Sequence, residues 1–375
     1  MKIPRYINPR KQQGMVLILA MLIVALVTSL VVATSWKFEL GMSRNENRWH
    51  GLQARLFIES GERLVGKLLL IPDLDDQMPD GQADHINEDW NQELIPPQQQ
   101  DDPGQIAIRM SDAQARFNLN LLSLKAEAPP PNTPQATRCE QSPKPFDCEY
   151  TVAQRRFIRF LQVIPLNERL LTPYEATEIT DAIIDWVDAD HQMDHPGGAE
   201  QSYYQGLEVP IVVSNAPMTT VSELSLIKGI TPELYERLLP YVIALPAEGS
   251  TVGNININTI PDIMFRMFND KAIREPLDEQ LGSDLAQARN EMLNIESSSG
   301  QGYQSVEDFV NQDLASILNL TASDFDDTQL SIDTQYFIYD AVAEIGDKVR
   351  RGKTLMFRDK QKRLVVSLWR TDANF

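Results

Sequence analysis

The stretch Met15–Ala33, MVLILAMLIVALVTSLVVA, decides how the rest of the chain is read. It holds no charged residue and lies between Arg10-Lys11-Gln12-Gln13-Gly14 and Thr34-Ser35-Trp36-Lys37. An apolar run of about this length crosses a hydrocarbon core roughly 30 Å thick as a helix. No other stretch of the 375 residues is long and apolar enough to do so. Lys2, Arg5, Arg10 and Lys11 precede it without an acid, so the positive flank stays cytoplasmic and the remainder is expected outside. A secretory signal is the competing reading and needs a small-residue cleavage site after the run. Val31-Val32-Ala33 is a poor one and Ala33-Thr34-Ser35 a second candidate. The helical pattern does not stop there. It continues through WKFELGMSRNENRWHGLQARLFIESGERLVGKLLLI to Pro72 without a proline, with Phe57, Leu64, Val65 and Leu68 near helical spacing. A helix from Met15 to Ile71 would be about 80 Å long at roughly 1.5 Å per residue, and its second half needs a partner surface for that stripe.

A short basic leader ending in glycine, followed by an apolar run continuous with a long amphipathic helix, resembles the type IV pilin-like family. The resemblance implies cleavage by a prepilin peptidase after Gly14 and methylation of the new N-terminus at Met15. That family usually carries a glutamate at the fifth mature position, where this chain has Leu19. Lack of the glutamate, together with the unusual length, is similar to the K-type minor pseudopilins of type II secretion. The resemblance extends over nearly the whole chain. It implies an α+β fold: a long N-terminal helix packed on a small antiparallel sheet, with a large helix–hairpin–helix or SAM-like insertion. It also implies a place in the inner membrane, single-pass, with the bulk of the chain periplasmic. The implied partners are the I-type and J-type minor pseudopilins, an H-type one, the prepilin peptidase and the inner-membrane assembly platform. The implied role is capping the tip of the periplasmic pseudopilus and helping to initiate it. The alternatives are a membrane-anchored periplasmic binding module that keeps its N-terminus, or a minor pilin of a type IV pilus.

The expected division is a leader over 1–14, a membrane-spanning part over 15–36, the periplasmic helix with the first strands over 37–130, an inserted helical domain over 150–330 and C-terminal strands over 331–375. The net charge is −19 and becomes −23 without the four leader cations. Such a surface repels nucleic acid and anionic lipid. The two cysteines, Cys139 and Cys148, sit close together in a region expected to be periplasmic, which favours one disulfide closing a small loop.

Ile106, Ile108 and Met110 alternate, as do Phe117, Leu119 and Leu121, which predicts a β-hairpin around Ser111-Asp112-Ala113. Beyond the proline-rich connector, VAQRRFIRFLQVI, TPYEATEITDAIIDWVD, TVSELSLIKGITPELYERLLPYVIAL and DEQLGSDLAQARNEMLNIE carry helical spacing. Ser305-Val306-Glu307-Asp308-Phe309 echoes Val221-Ser222-Glu223-Leu224, a weak repeat of helix–hairpin–helix character. A phosphate-gripping hairpin would have a second glycine where Thr231 follows Gly229-Ile230. Residues 151–330 hold 28 acids against 10 bases, so phosphate neutralisation is not expected here. From Leu330, SIDTQYFIYDAVAEI, TLMFRD and RLVVSLWR predict a meander, with polar turns over 347–353 and 360–363.

One constellation could carry chemistry: DWVDADHQMDHPGGAEQSYY, Asp185–Tyr204. Asp188, Asp190, Gln192 and Asp194 alternate after a predicted helix, Gly197-Gly198 turns the chain, and Glu200 returns a carboxylate. Calcium takes six to eight such oxygens in a flexible loop. The sixth position is Met193, so this is no EF-hand. From spacing alone a solvated acidic loop is the favoured reading. His191 and His195 invite a transition metal, although the proline and glycines disfavour a two-histidine helical face. The resemblance to K-type pseudopilins, which bind calcium near such a Gly-Ala-Glu stretch, implies calcium, with Asp188, Asp190, Gln192, Asp194 and Glu200 as ligands. Asp185 is the weaker candidate because Ile183, Ile184 and Trp186 place it on the helix. No Gly-x-Ser-x-Gly, phosphate loop or His-Glu-x-x-His occurs, and none of the 4 histidines has a nucleophile at a recognisable spacing, so no enzyme is expected.

Overall fold

A computed structural model describes residues 13–70, 83–91, 104–125, 139, 144–167, 169–246, 253–294 and 300–371. The expected leader, most of the acidic linker after Pro72 and most of the proline-rich connector lie outside the described residues. The packing divides the chain into two units. One holds α1 up to Phe57 with residues 104–105 and 343–350; the other holds 58 onward, 106–342 and 351–371 among the described residues.

Helix α1 runs unbroken over Gln13–Leu68. Its first part is apolar and exposed, and it is long and apolar enough to cross a membrane. In the first unit, Gln105 donates to Glu344 at 2.6 Å, and the turn at Gly346 faces the His50 ring.

In the second unit the end of α1 lies on a sheet. Four strands, β1 (Gly104–Asp112), β6 (Tyr336–Ile345), β7 (Lys348–Asp359) and β8 (Leu364–Thr371), are ordered β1-β6-β7-β8. The buried face of α1 here is Ile58, Gly61, Glu62, Val65 and Leu69. Leu64, expected on that face, is exposed. Gly61 explains the shift. A Cβ there would come 2.6 Å from Tyr339 Oη and 2.8 Å from Ile108 Cδ1, so the bare backbone sets the line of closest approach. Tyr339 uses that approach to donate to the Ile58 carbonyl at 2.8 Å. The turn expected over 347–353 is tighter than predicted: Lys348, Arg350, Arg351 and Lys353 all belong to β7.

The predicted hairpin around Ser111–Ala113 does not form. β1 ends at Asp112, and β2 (Phe117–Asn118) instead pairs in parallel with β3 (Val242–Ile243). Phe117, Leu119, Leu121 and Leu122 enter the core of the helical part, so the insertion gathers residues well before position 150. The reason is burial on every side. Asn118, Leu119 and Asn120 are all buried, and the 3-10 turn Leu119–Ser123 takes over where a one-faced strand would continue. A second short parallel pair joins β4 (Ile255–Asn256) to β5 (Leu330–Ser331).

The helices follow their start signals. Helix α2 is Pro145–Glu149. Helix α3 (Val152–Leu161) opens with a Thr151–Gln154 capping box, and α4 (Pro173–Val187) with Thr172, Glu175 and a proline in the first turn. Then come α5 (Gln201–Gln205), α6 (Pro232–Leu238) and α7 (Glu279–Met292). Arg155, Arg156 and Arg159 on α3 are all buried. Arg156 donates to the carbonyls of Thr328 and Asp326 at 2.8 and 2.7 Å, and Arg159 to those of Met267, Asp270 and Ile273. Burial pulls Arg156 down to about 10 and Arg159 to about 9. Cys139 and Cys148 form a disulfide with Cα atoms 5.3 Å apart, as their spacing predicted.

Candidate metal centre

The acidic loop hangs from the end of α4. Asp181, Asp185 and Asp188 recur at helical spacing, so one face of the last two turns carries three carboxylates. All three are buried. Asp181 accepts from Tyr150 Oη at 3.1 Å and from the Gly197 N–H at 3.2 Å. Asp185 accepts the Asp194 N–H at 3.1 Å. The chain therefore folds back over this face, and Gly197-Gly198 makes the return possible. A Cβ on Gly197 would lie 2.5 Å from Asp181 Oδ2, and one on Gly198 would overlap Asp185 Oδ2. Lys228 Nζ pins the return by donating to the carbonyls of Gly197 and Gly198 at 2.9 and 3.3 Å.

Asp188, Asp190 and Asp194 are brought together, with one oxygen from each within 4.8 Å of the others. Asp188 is only 2% exposed, yet neither of its carboxylate oxygens accepts a hydrogen bond. Glu200 caps α5, accepts the Gln201 N–H at 3.3 Å with one oxygen, and leaves Oε1 buried without a partner. Burial, then the neighbouring acids, push Asp185 up to about 7. Burial also raises Asp188 and Glu200, with Asp190 adding to the first and Asp188 to the second. Leaving such buried oxygens without hydrogen bonds is costly, and a cation is one way to satisfy them.

Glu200 lies outside the tight group but within electrostatic reach of Asp188 and Asp185. The Gln192 side chain is exposed; its backbone N–H donates to Asp190 Oδ1 at 2.9 Å and so shapes the turn. Neither histidine joins the carboxylates: His195 stacks on Tyr150 with centroids 4.5 Å apart, and His191 Nδ1 meets Asn215 Nδ2 at 2.5 Å. An all-oxygen donor set suits a hard divalent cation such as calcium and gives a softer metal no nitrogen or sulfur.

Asp185, the weaker candidate in the sequence, lies beneath the loop on the helix face that the spacing 181, 185, 188 defines. One participant, Lys125, gave no signal in the sequence. Its Nζ stands 2.7 Å from Asp190 Oδ2, 3.3 Å from both Asp194 oxygens and 3.5 Å from Asp188 Oδ2.

A family model described as "Type II secretion system (T2SS), protein K" matches residues 115–247. The type II secretion system protein K of Aeromonas hydrophila is 30% identical over 362 residues, covering 95% of this chain and 96% of that protein. The Pseudomonas aeruginosa protein of that name is 28% identical over 354 residues, covering 92% and 90%. Among solved structures, a chain of the GspK-GspI-GspJ complex of enterotoxigenic Escherichia coli superposes with a TM-score of 0.63 at 22% identity, covering 88% of this chain and 100% of that one. That likeness establishes the α+β pilin-like fold with its helical insertion.

Proposed function

The chain belongs to the type II secretion system protein K family, a component of a secretion machine, and from that premise we propose that it is the minor pseudopilin at the tip of the periplasmic pseudopilus. The observation that carries this reading is Leu19 on α1, where pilin-like subunits usually place a glutamate. A carboxylate in lipid is costly unless paired, and the resemblance to pilin-like subunits implies that its pairing group is the N-terminal amine of the subunit ahead. A subunit with leucine there has no such need and can stand first. The large helical insertion agrees, because a subunit with nothing above it has room for one.

In this reading a prepilin peptidase cleaves after Gly14 and Met15 becomes the methylated N-terminus. Residues 15–36 sit in the inner membrane until the assembly platform extracts them, and the I-type and J-type minor pseudopilins, with an H-type one below, are the neighbours. Calcium is held by Asp188, Asp190 and Asp194, with Glu200 and Gln192 as further oxygen donors. The unmatched buried oxygens of Asp188 and Glu200 support this assignment. The ion cross-links the loop and fixes its fold. Two experiments test the proposal. Mass spectrometry of the mature protein should find methyl-Met15 at the N-terminus; an intact Met1 would favour a membrane-anchored module instead. Immunogold labelling of sheared pseudopili should mark one end, and labelling along the shaft would contradict tip placement.

A further inference from the structure

The carboxylates of the acidic loop already face a cation. Lys125 Nζ lies among Asp188, Asp190 and Asp194, closest to Asp190 at 2.7 Å, where a metal drawing on all three would also sit. The loop is more than a cluster of surface acids, because Asp188 is buried and neither of its oxygens accepts a hydrogen bond. One ammonium at 3.5 Å does not satisfy them. We infer that Lys125 is a built-in counter-cation of this loop, and that a divalent ion enters by displacing it. The inference rests on the calcium reading and adds a competitor to it.

The local architecture suits an exchange. The backbone leading into Lys125 is fixed: Gln154 Nε2 donates to the carbonyls of Leu122 and Leu124, and the Leu124 N–H bonds the Leu121 carbonyl. The side chain is about half exposed. Among the described residues only the carboxylates hold the ammonium, so its displacement breaks no other polar contact. Without the ion, Lys125 supplies one positive charge against three acids and keeps the loop from flying apart. With the ion, two charges would replace one, and the buried Asp188 carboxylate would have a cation to coordinate. The ammonium thus makes the empty loop tolerable and lowers the apparent affinity for the ion.

The test uses the full chain in detergent. Calcium chloride is titrated calorimetrically into the wild type and Lys125→Met, and Lys125 acetylation by acetic anhydride is followed by peptide mass spectrometry with and without calcium. The expected result is that Lys125→Met binds calcium about two- to fivefold more tightly, the scale of a partly exposed ion pair. In the wild type, calcium should speed acetylation of Lys125 several-fold while leaving Lys67 unchanged. Binding by the methionine variant alone would overturn the displacement, because the lysine would then block the site outright. Calcium binding of equal affinity in both proteins, with Lys125 labelling unchanged, would overturn the displacement and leave the calcium site standing. If neither protein binds calcium, the calcium reading falls and the displacement with it. Labelling of the wild type answers the question even if the variant fails to fold.

Discussion

Arg370 grips Glu62 with two parallel hydrogen bonds, Nε at 2.9 Å and Nη2 at 2.7 Å, and so binds the last strand to the helix that begins the chain. Thr354 donates to the same carboxylate at 2.9 Å, and Ser367 also donates to it. Burial alone would raise the Glu62 pKa; the hydrogen bonds from Arg370, Ser367 and Thr354 outweigh it and hold the carboxyl below the ordinary range. The anion is thus the stabilising form, and its contribution is lost as pH falls through that depressed value.

Removing Arg370 should fray β8. The arginine is exposed and Glu62 keeps its two hydroxyl donors, so Arg370→Ala should cost about 1 kcal/mol. Glu62→Ala should cost about 2–3 kcal/mol, because it strands several donors at once. Hydrogen exchange of amides 364–371 should accelerate accordingly, more in the glutamate variant. Unchanged exchange in both would mean that β8 is held by its ladder with β7 alone.

Arg358 should be among the least replaceable residues of the sheet. It is 1% exposed, bonds Asp84 and the Thr334 carbonyl (2.7 Å), and lies 4.9 Å over the Phe337 ring. Breaking a buried pair from one side costs about 3–5 kcal/mol, and here the lower end applies, since Asp84 loses its closest cation but keeps Lys360 at 3.5 Å and the Thr334 N–H at 2.7 Å. Arg358→Met should therefore lower the denaturation midpoint sharply, and adding Asp84→Asn should recover part of the loss. Equal midpoints for the single and double variants would show that the Asp84 charge is not what the single change exposes.

Asp112 gives a pH signature. It is fully buried, accepts hydroxyl donors from Thr259 and Thr334 at 2.5 Å, and is pushed by burial up to about 6. Between the ordinary aspartate value and about 6, the folded chain holds a proton that the unfolded chain has released. Stability from this group therefore falls as pH rises through that window and is flat above it. Measured against Asp112→Asn, the wild type should lose roughly 2–3 kcal/mol between about pH 4 and pH 6. A difference independent of pH would mean that Asp112 is ionised throughout.

Metal removal should register at the acidic loop. An ion bound only by the folded state stabilises it by about 2.7 kcal/mol at a hundredfold excess over its dissociation constant. Chelation should lower the melting temperature of the full chain, and calcium should restore it better than magnesium, which demands stricter octahedral geometry. Asp188→Ala with Asp190→Ala should abolish the response while β7 and β8 stay protected. An identical melting temperature with calcium and with chelator, and no heat of binding, would reduce the loop to a solvated one.

The sequence made legible what is written in local spacing. Helices opening at Thr172 and Thr231 are legible in the sequence because capping is decided within four residues. Asp188, Asp190 and Asp194 announced a cluster because alternation after a helix end turns them one way. The errors have physical causes too. Phe117, Leu119 and Leu121 alternate like a strand, but the residues between them are buried as well, and the partner of Phe117 is Val242, far along the chain. Leu64 looked like core, whereas the helix packs along the line that Gly61 opens. Lys125 was illegible because nothing in its own neighbourhood says that the chain returns to it more than sixty residues later.

The arginines of α3 carry a last consequence. Arg156 and Arg159 spend their charge on carbonyl oxygens inside the core, whereas Lys125 meets its acids at an open surface. Dissolved ions screen exposed charges over roughly 8–10 Å at ordinary ionic strength and reach buried ones far less. The helical scaffold is thus insulated from the saltiness of its surroundings, and the acidic loop is not. A change of medium would retune the loop while the framework that displays it stays the same.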